Sequence, residues 1–275
     1  MVWLDGQLVD AEQARVSPFD HGMTVGDGVF ETLQVVRATP FAVRRHLGRL
    51  RRSAAGLGLT VPVDDRELRR AMQAVVEANE VERGRLRLTV TGGVGPLGSD
   101  RGGAPATVVV ATADLPAWPA STAVVTCPWP RNERSAVAGL KSTSYAENVV
   151  ALSYAHERGA SEALFANTVG MLCEGTGTNV FVGLGGRLVT PPLSSGCLAG
   201  ITRELLCELL GDRVEQADVP MAQLADADEA FLTSSTRDVQ AIHSIDGRPL
   251  PTTPGPLTST AAAAFADLLE RDLDP

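Results

Sequence analysis

The chain has 275 residues, 44% of them hydrophobic and 21% charged, so it can bury a sizeable core and has the composition of an ordinary globular protein. Its formal net charge of -9 leaves no broad basic field for binding nucleic acid. No stretch reaches the roughly 18 apolar residues of a membrane span, and the first residues lack a basic region followed by an apolar core. We therefore expect a cytoplasmic protein without a nucleic-acid or membrane partner.

The four cysteines form no C-x-x-C pair and have no histidine at metal-ligand spacing, which argues against a zinc site or a redox dithiol. Free thiols in a reducing compartment are the expectation, and no metal site is predicted. The residues concerned are Cys127, Cys173, Cys197 and Cys207.

The first part of the chain alternates predicted strands and helices. Asp5-Gly6 is typical of a tight turn between two short strands at residues 2–9. Asp64 and Glu67 resemble a capping box, and the apolar residues that follow recur at helical spacing. The predicted elements are a strand at 29–36, a helix at 44–57, a helix beginning near 64, and strands at 85–91 and 106–111.

Two prolines and the lack of periodicity predict a linker at residues 114–120, between a smaller N-terminal α/β domain (1–113) and a larger C-terminal domain (121–275). Short strands and helices alternate beyond the linker, so the fold class is α/β (α+β). Strands are predicted at 123–126, 162–166, 178–182, 187–189 and 229–233, and helices at 146–157 and 202–210.

Lys141 is the single lysine of a chain that otherwise uses arginine for its cations. An arginine cannot lose its proton at ordinary pH, whereas a lysine amine can. The retention of one lysine therefore indicates a residue that needs a neutral amine. Codon preference explains the scarcity of lysine but not this exception.

Three further segments carry groups suited to an anionic aromatic ligand. Gly200, Ile201 and Thr202 open a predicted helix, whose free N–H groups suit a phosphate, although Thr202 could also be a plain N-cap. Glu174 precedes a glycine-rich turn, where a carboxylate can pair with a protonated ring nitrogen or simply be solvated. The hydroxyl run from Thr233 to Thr236 is either a loop cap or a phosphate clamp.

These segments occur together and in order, and the chain resembles the class IV aminotransferases. This is the family of fold-type IV enzymes dependent on pyridoxal 5'-phosphate (PLP), and it includes branched-chain and D-amino-acid aminotransferases and aminodeoxychorismate lyase. The resemblance covers nearly the whole chain. The matching segments are Gly26–Leu33, His46–Leu50, Leu140–Thr143, Glu174–Phe181, and Thr190–Leu193 with Gly200–Arg203.

The resemblance implies a role for each matching residue. Lys141 bonds the cofactor and is the catalytic amine, and Glu174 pairs with the pyridine nitrogen. The phosphate contacts are implied for Arg49, one of several arginines on a helix whose other members belong to a solvated face, and for Gly200, Ile201, Thr202 and Ser235. By the same comparison the fold is a two-domain one like that of D-amino-acid aminotransferase, and the enzyme is a homodimer.

The substrate side is less sharply defined. Phe30, Glu31, Arg87 and Thr236 are the residues that the resemblance assigns to the substrate. Gly84-Arg85-Leu86-Arg87 differs from the Tyr-x-Arg of branched-chain enzymes, and Leu97 and Ser99 stand where D-amino-acid enzymes carry Arg and His. We expect transfer of an amino group between an amino acid and a 2-oxo acid. The alternatives are aminodeoxychorismate lyase, which forms 4-aminobenzoate and pyruvate, and a ligand-binding protein without turnover.

Overall fold

The computed structural model of the chain describes residues 1–115 and 117–275. It divides into two compact units, the first formed by Met1–Pro116, Leu140–Tyr145 and Asp272–Pro275, and the second by Ala117–Gly139 and Ala146–Arg271. Lys141 thus belongs to the first unit, although it follows the predicted linker in the chain. The domain division with a linker at 114–120 stays a prediction, and Pro116 of that linker lies outside the described residues.

The described part of the first unit contains a six-stranded antiparallel sheet in the order β2-β1-β6-β5-β3-β4. Three helices accompany it. The strands are β1 (Val2–Leu4), β2 (Gln7–Val9), β3 (Gly28–Val36), β4 (Thr39–Pro40), β5 (Arg83–Thr91) and β6 (Thr107–Ala113), and the helices are α1 (His21–Thr24), α2 (Val43–Gly56) and α3 (Asp65–Ala78).

The core of this unit lies between the sheet and helices α2 and α3. Leu68, Met72 and Val75 recur along one face of α3 and are completely buried, together with Leu50 of α2 and Leu86 of β5. The side chain of Asp64 accepts a hydrogen bond from the Glu67 N–H, which fixes the start of α3 as the sequence predicted. Strand β5 has one apolar buried face and one arginine-bearing exposed face.

The second unit is built on a mixed sheet in which, among the described residues, eight strands follow the order β12-β11-β10-β13-β14-β7-β8-β9 and β15 pairs with β14. Its strands are β7 (Ser121–Thr126), β8 (Glu162–Ala166), β9 (Leu172–Gly175), β10 (Asn179–Leu184), β11 (Arg187–Thr190), β12 (Val214–Gln216), β13 (Glu229–Ser234), β14 (Asp238–Ile245) and β15 (Arg248–Pro249). Its α-helices are α4 (Ala146–His156), α5 (Ile201–Leu210) and α6 (Pro256–Arg271).

The mixed α/β class predicted from the sequence is confirmed, and several elements went unpredicted. Strands β9 and β14 were missed, as was helix α6, although its buried residues Ala261, Phe265 and Leu268 recur at helical spacing. The Glu229 carboxylate caps α6 by accepting from the N–H groups of Leu257 and Thr258. Glu229 is distant in the sequence from the helix that it caps, so no local pattern predicts this cap.

Candidate active site

The main chain of Lys141 is held on two sides within the first unit. Its carbonyl oxygen accepts a hydrogen bond from the Phe30 N–H of β3 at 3.0 Å. Its N–H donates to the buried Ser53 Oγ of α2 at 3.1 Å. Since β3 and α2 both belong to the core of this unit, the position from which the lysine side chain extends is fixed.

The amine of Lys141 lies among aromatic rings. Its Nζ is 4.4 Å from the centroid of Phe30 and 5.9 Å from that of Tyr145, and the two rings meet edge to face at 5.1 Å. Lys141 itself is half-buried. An ammonium group gains a cation–π attraction there, and the rings also exclude water from one side of the amine.

Arg87 shares the Phe30 ring with the lysine. Its guanidinium carbon lies 3.7 Å from the Phe30 centroid, and the residue as a whole is exposed. Arg83 and Arg85 precede it on the same exposed face of β5, because alternate residues of a strand point to one side. A permanent positive charge therefore lies beside the ring that also contacts the Lys141 amine.

Helix α2 contributes a polar stripe to an otherwise apolar core. His46, Arg49 and Ser53 lie on its buried face, since residues three, four and seven apart share one side of a helix. Arg49 donates to Glu31 of β3 from Nε to Oε1 at 2.8 Å and from Nη2 to Oε2 at 2.6 Å. His46 Nδ1 is 2.7 Å from Glu31 Oε2.

The protonation states of this cluster follow from burial and charge. Burial alone would raise the pKa of Glu31, but the charge and hydrogen bonds of Arg49, with the hydrogen bond of His46, lower that pKa to about 2. Burial lowers the pKa of His46 below its ordinary 6.5, against the opposing effect of Glu31. A neutral His46 thus donates its Nδ1–H to an ionised Glu31, because a carboxylate can only accept.

Glu174 is the next-to-last residue of strand β9 in the second unit, and its carboxylate contacts Leu198 and Arg131. Its Oε2 accepts a hydrogen bond from the Leu198 N–H at 2.9 Å, and its Oε1 is 3.5 Å from Arg131 Nε. The Arg131 guanidinium packs over the ring of Phe165, with its carbon 4.2 Å from the centroid. The half-buried carboxylate is therefore oriented by its surroundings and is more than a solvated turn residue.

Helix α5 begins with free N–H groups. Gly200 is the N-cap and provides no side-chain cap, so Thr202 is not the N-cap. No acceptor for the N–H groups of Ile201 or Thr202 exists among residues 1–115 and 117–275. A Cβ at Gly200 would overlap Asn179 Oδ1, so any larger residue would have to displace the Asn179 side chain. Together with the helix dipole, this arrangement suits an anion.

The hydroxyl run at the end of β13 turns back on itself. Ser234 Oγ accepts from the Arg237 N–H at 3.1 Å and is 3.4 Å from Thr236 Oγ1, while Ser235 and Thr236 are half-buried. Thr233 is 1% exposed, and its Oγ1 has no hydrogen-bond partner among the described residues. It stands opposite Asn179 in the β13–β10 register and hence on the same face of the sheet.

The unpaired N–H groups, the glycine cap and the unpaired Thr233 hydroxyl are the features that a phosphate group would satisfy. The second unit therefore fits the phosphate of PLP, and Glu174 fits its ring nitrogen. The first unit supplies a half-buried primary amine and a buried arginine. The residues present therefore fit the chemical groups of PLP.

Three residues that support these groups escaped the sequence analysis. The buried carboxylate of Glu162 accepts from the Thr176 N–H at 2.9 Å and from Thr178 Oγ1 at 3.2 Å, which stabilises the turn after Glu174. Arg237 Nη2 lies 3.7 Å from Glu162 Oε2. Arg131 is the third. Their partners are distant in the sequence, and no motif marks them.

No group of three or more His, Cys, Asp or Glu residues that could hold a metal ion occurs in the part of the chain that the structure describes. Within the same residues, no helix is both long enough and apolar enough to cross a membrane.

The family model described as amino-transferase class IV matches residues 28–245. The chain belongs to the class IV aminotransferase family. It is therefore an enzyme, and the reaction class of the family is amino group transfer. The matched range contains Phe30, Glu31, Arg49, Arg87, Lys141, Glu174, Gly200, Ile201, Thr202, Ser235 and Thr236.

Relatives from three branches of the class IV aminotransferases align along most of the chain. A D-alanine aminotransferase of Bacillus licheniformis is 32% identical, with 96% of this chain and 95% of the relative covered. An aminodeoxychorismate lyase of Bacillus subtilis is 28% identical, with 87% and 84% covered. The solved branched-chain aminotransferase of the archaeon Thermoproteus uzoniensis with norvaline has a TM-score of 0.92 at 32% identity, covering 98% and 94%.

These similarities confirm the predicted family and the two-domain fold-type IV architecture. Of the predicted site residues in the first unit, the structure brings Phe30, Arg87 and Lys141 together in one group and Glu31 and Arg49 in another. In the second unit it brings Gly200 beside the Leu198–Glu174 contact. Glu31 is the residue whose surroundings differ most from expectation, because its carboxylate faces Arg49 and His46.

Proposed function

We propose that this enzyme is a PLP-dependent aminotransferase that moves an amino group between an amino acid and a 2-oxo acid. The observation that carries the proposal is the single lysine, Lys141, whose main chain is fixed by Phe30 and Ser53 and whose amine lies over an aromatic ring. When bound, PLP supplies an electron sink for the negative charge that develops on the substrate α-carbon.

Arg49 and the N-terminus of α5 (Gly200, Ile201 and Thr202) bind the phosphate, with a further hydroxyl from Ser235. Glu174 holds a proton on the ring nitrogen by accepting its hydrogen bond, and the Leu198 N–H and Arg131 keep that carboxylate in place. Lys141 binds the cofactor covalently through Nζ.

The proposed catalytic role of Lys141 is to move a proton. As a free amine, its Nζ removes the proton from the substrate α-carbon and carries it during the transfer. The aromatic rings of Phe30 and Tyr145 keep competing water away from one side of this amine. Arginine could not replace it, because its pKa is too high to release a proton.

The proposed substrate residues are Phe30, Arg87 and Thr236. Arg87 is an exposed residue whose guanidinium, stacked on the Phe30 ring, offers a forked donor for a substrate carboxylate. Thr236 contributes a hydroxyl. The Glu31 carboxylate is completely buried.

The second candidate function is aminodeoxychorismate lyase, which the similarity to the Bacillus subtilis enzyme favours. One spectroscopic experiment separates the two. Purified enzyme reconstituted with PLP is mixed with single amino acids, both L and D, without an acceptor. An aminotransferase loses the PLP absorbance stoichiometrically as the cofactor takes up the amino group, and a 2-oxo acid restores it.

Formation of 4-aminobenzoate and pyruvate from 4-amino-4-deoxychorismate, with no amino acid altering the spectrum, would instead establish the lyase. Failure to bind PLP at all would overturn both assignments.

We also propose a cytoplasmic homodimer, supported by the four free cysteines and by the exposed Val149 and Val150 on α4. Sedimentation analysis tests the dimer.

A further inference from the structure

Glu31, His46 and Arg49 form a charged cluster inside the core of the first unit. Their exposed fractions are 0%, 1% and 4%, and the surrounding side chains include Leu33, Leu47 and Leu50. Taking a carboxylate and a guanidinium out of water costs several kcal/mol per ion, so a buried ion pair is weak support for stability. A cluster of this kind needs a reason other than folding.

Both oxygens of Glu31 are occupied. Oε1 accepts from Arg49 Nε, and Oε2 accepts from Arg49 Nη2 and faces His46 Nδ1. The residues alternate along β3, so Phe30 and Glu31 point to opposite faces, Phe30 toward Lys141 and Arg87 and Glu31 toward α2. A contact between the Glu31 carboxylate and a substrate would require this cluster to be taken apart.

The geometry of the pair determines the plane of the guanidinium. Two parallel N–H···O bonds leave an arginine almost no rotational freedom, since the fork of donors is rigid. The direction of its remaining N–H groups is then set by Glu31. His46 supports the same carboxylate with a third hydrogen bond and adds no charge in its neutral form.

We propose that Glu31 is a positioning residue for Arg49, and that by fixing this guanidinium it lets the chain distinguish a phosphorylated pyridoxal from an unphosphorylated one. The inference rests on the proposed function, in which Arg49 binds the PLP phosphate. It replaces a substrate role for Glu31 with one that acts through Arg49. The negative charge of Glu31 partly neutralises Arg49 and so weakens the attraction of Arg49 for the phosphate. We expect the gain from a correctly oriented guanidinium to exceed this loss.

The test measures dissociation constants of PLP and of pyridoxal for apo-enzyme of the full chain. The variants are Glu31→Gln, Arg49→Lys and their combination. Glu31→Gln should raise the Kd of PLP by about tenfold or more, as expected for a misaligned charge-assisted hydrogen bond, and leave the Kd of pyridoxal unchanged. The double variant should bind PLP no more weakly than Arg49→Lys, because Glu31 acts only through Arg49.

A matched control is Glu229→Gln, which alters another buried carboxylate with both oxygens engaged, at the start of α6. It should lower the melting temperature while preserving the ratio of the two Kd values. A purely structural role for Glu31 would give the same pattern as this control. Should Glu31→Gln fail to fold, Glu31→Asp keeps the charge, shortens the reach, and should still reduce the preference for PLP.

The outcomes are separable. If Arg49→Lys loses the preference for PLP and both Glu31 variants keep it, the positioning role is wrong and the proposed function stands. Tighter PLP binding by Glu31→Gln would equally overturn the inference, since charge would then outweigh orientation. If Arg49→Lys itself keeps the preference, the proposed phosphate contact of Arg49 fails.

Discussion

Lys141 and Phe30 are joined twice, once through the main chain and once through their side chains. The Phe30 N–H donates to the Lys141 carbonyl oxygen at 3.0 Å, and Lys141 Nζ lies 4.4 Å from the centre of the Phe30 ring. The strand that carries Phe30 therefore also fixes the amine on which the proposed chemistry depends. Substitutions of this amine should affect chemistry far more than folding.

Lys141→Ala should remove covalent cofactor binding and reduce turnover by at least about a thousandfold, because no other side-chain amine exists in the chain. Borohydride treatment of the PLP-loaded enzyme followed by peptide mapping should find the pyridoxyl group on Lys141 alone. Lys141→Arg serves as the control that keeps the positive charge and should be equally inactive. A label on any other residue contradicts the assignment.

Glu174→Gln should leave PLP bound but slow the reaction by roughly two or more orders of magnitude, because a neutral amide no longer keeps the ring nitrogen protonated. Turnover and cofactor content are measured on the same preparation. Glu133→Gln, which removes a carboxylate that contacts Thr168 in the same unit, should keep near-native activity. Equal rates for the Glu174 variant and the native enzyme would make Glu174 a structural residue.

Gly200→Ala should weaken PLP binding by about tenfold or more, since the added Cβ overlaps Asn179 Oδ1 and displaces the first N–H groups of α5. Gly177→Ala is the matched control, because a Cβ there meets nothing within 4 Å. Fluorescence titration of both apo-variants with PLP gives the affinities. Native affinity in Gly200→Ala would remove the α5 N-terminus from the phosphate site.

The sequence predicts the two sets of functional groups better than it predicts their environment. Lys141 stood out because it is the only lysine, and Gly200 with Thr202 because a helix begins there. Glu31 was grouped with Phe30 as a substrate residue, although strand alternation sends neighbouring side chains to opposite faces. Strand β3 is buried on both faces, so burial alone does not tell which of these two side chains faces a ligand.

Other parts of the site and of the fold depend on contacts that no local pattern encodes. Arg131 contacts Glu174, which lies 43 positions later in the chain. Glu229 of strand β13 caps helix α6. The missed strand β9 is only four residues long, too short for an alternating pattern to be recognised. Long-range pairing of this kind is decided by tertiary packing.

The last prediction concerns the stability of the first unit in acid. Glu31 and His46 both have native pKa values below their ordinary values of 4.5 and 6.5, so the unfolded chain binds more protons than the native one at low pH. The free energy of unfolding should therefore fall as the pH drops, first below 6.5 through His46, then from 4.5 to about 2 through Glu31. The groups acting on His46 are Glu31, Arg49 and Lys141.

Urea unfolding between neutral pH and pH 3 should show a native slope that Glu31→Gln flattens below pH 4.5, because that variant lacks a contribution of about 3 kcal/mol at most. His46→Gln should flatten the slope nearer pH 6. An identical pH dependence in the native chain and both cluster variants would show that the cluster does not titrate on unfolding.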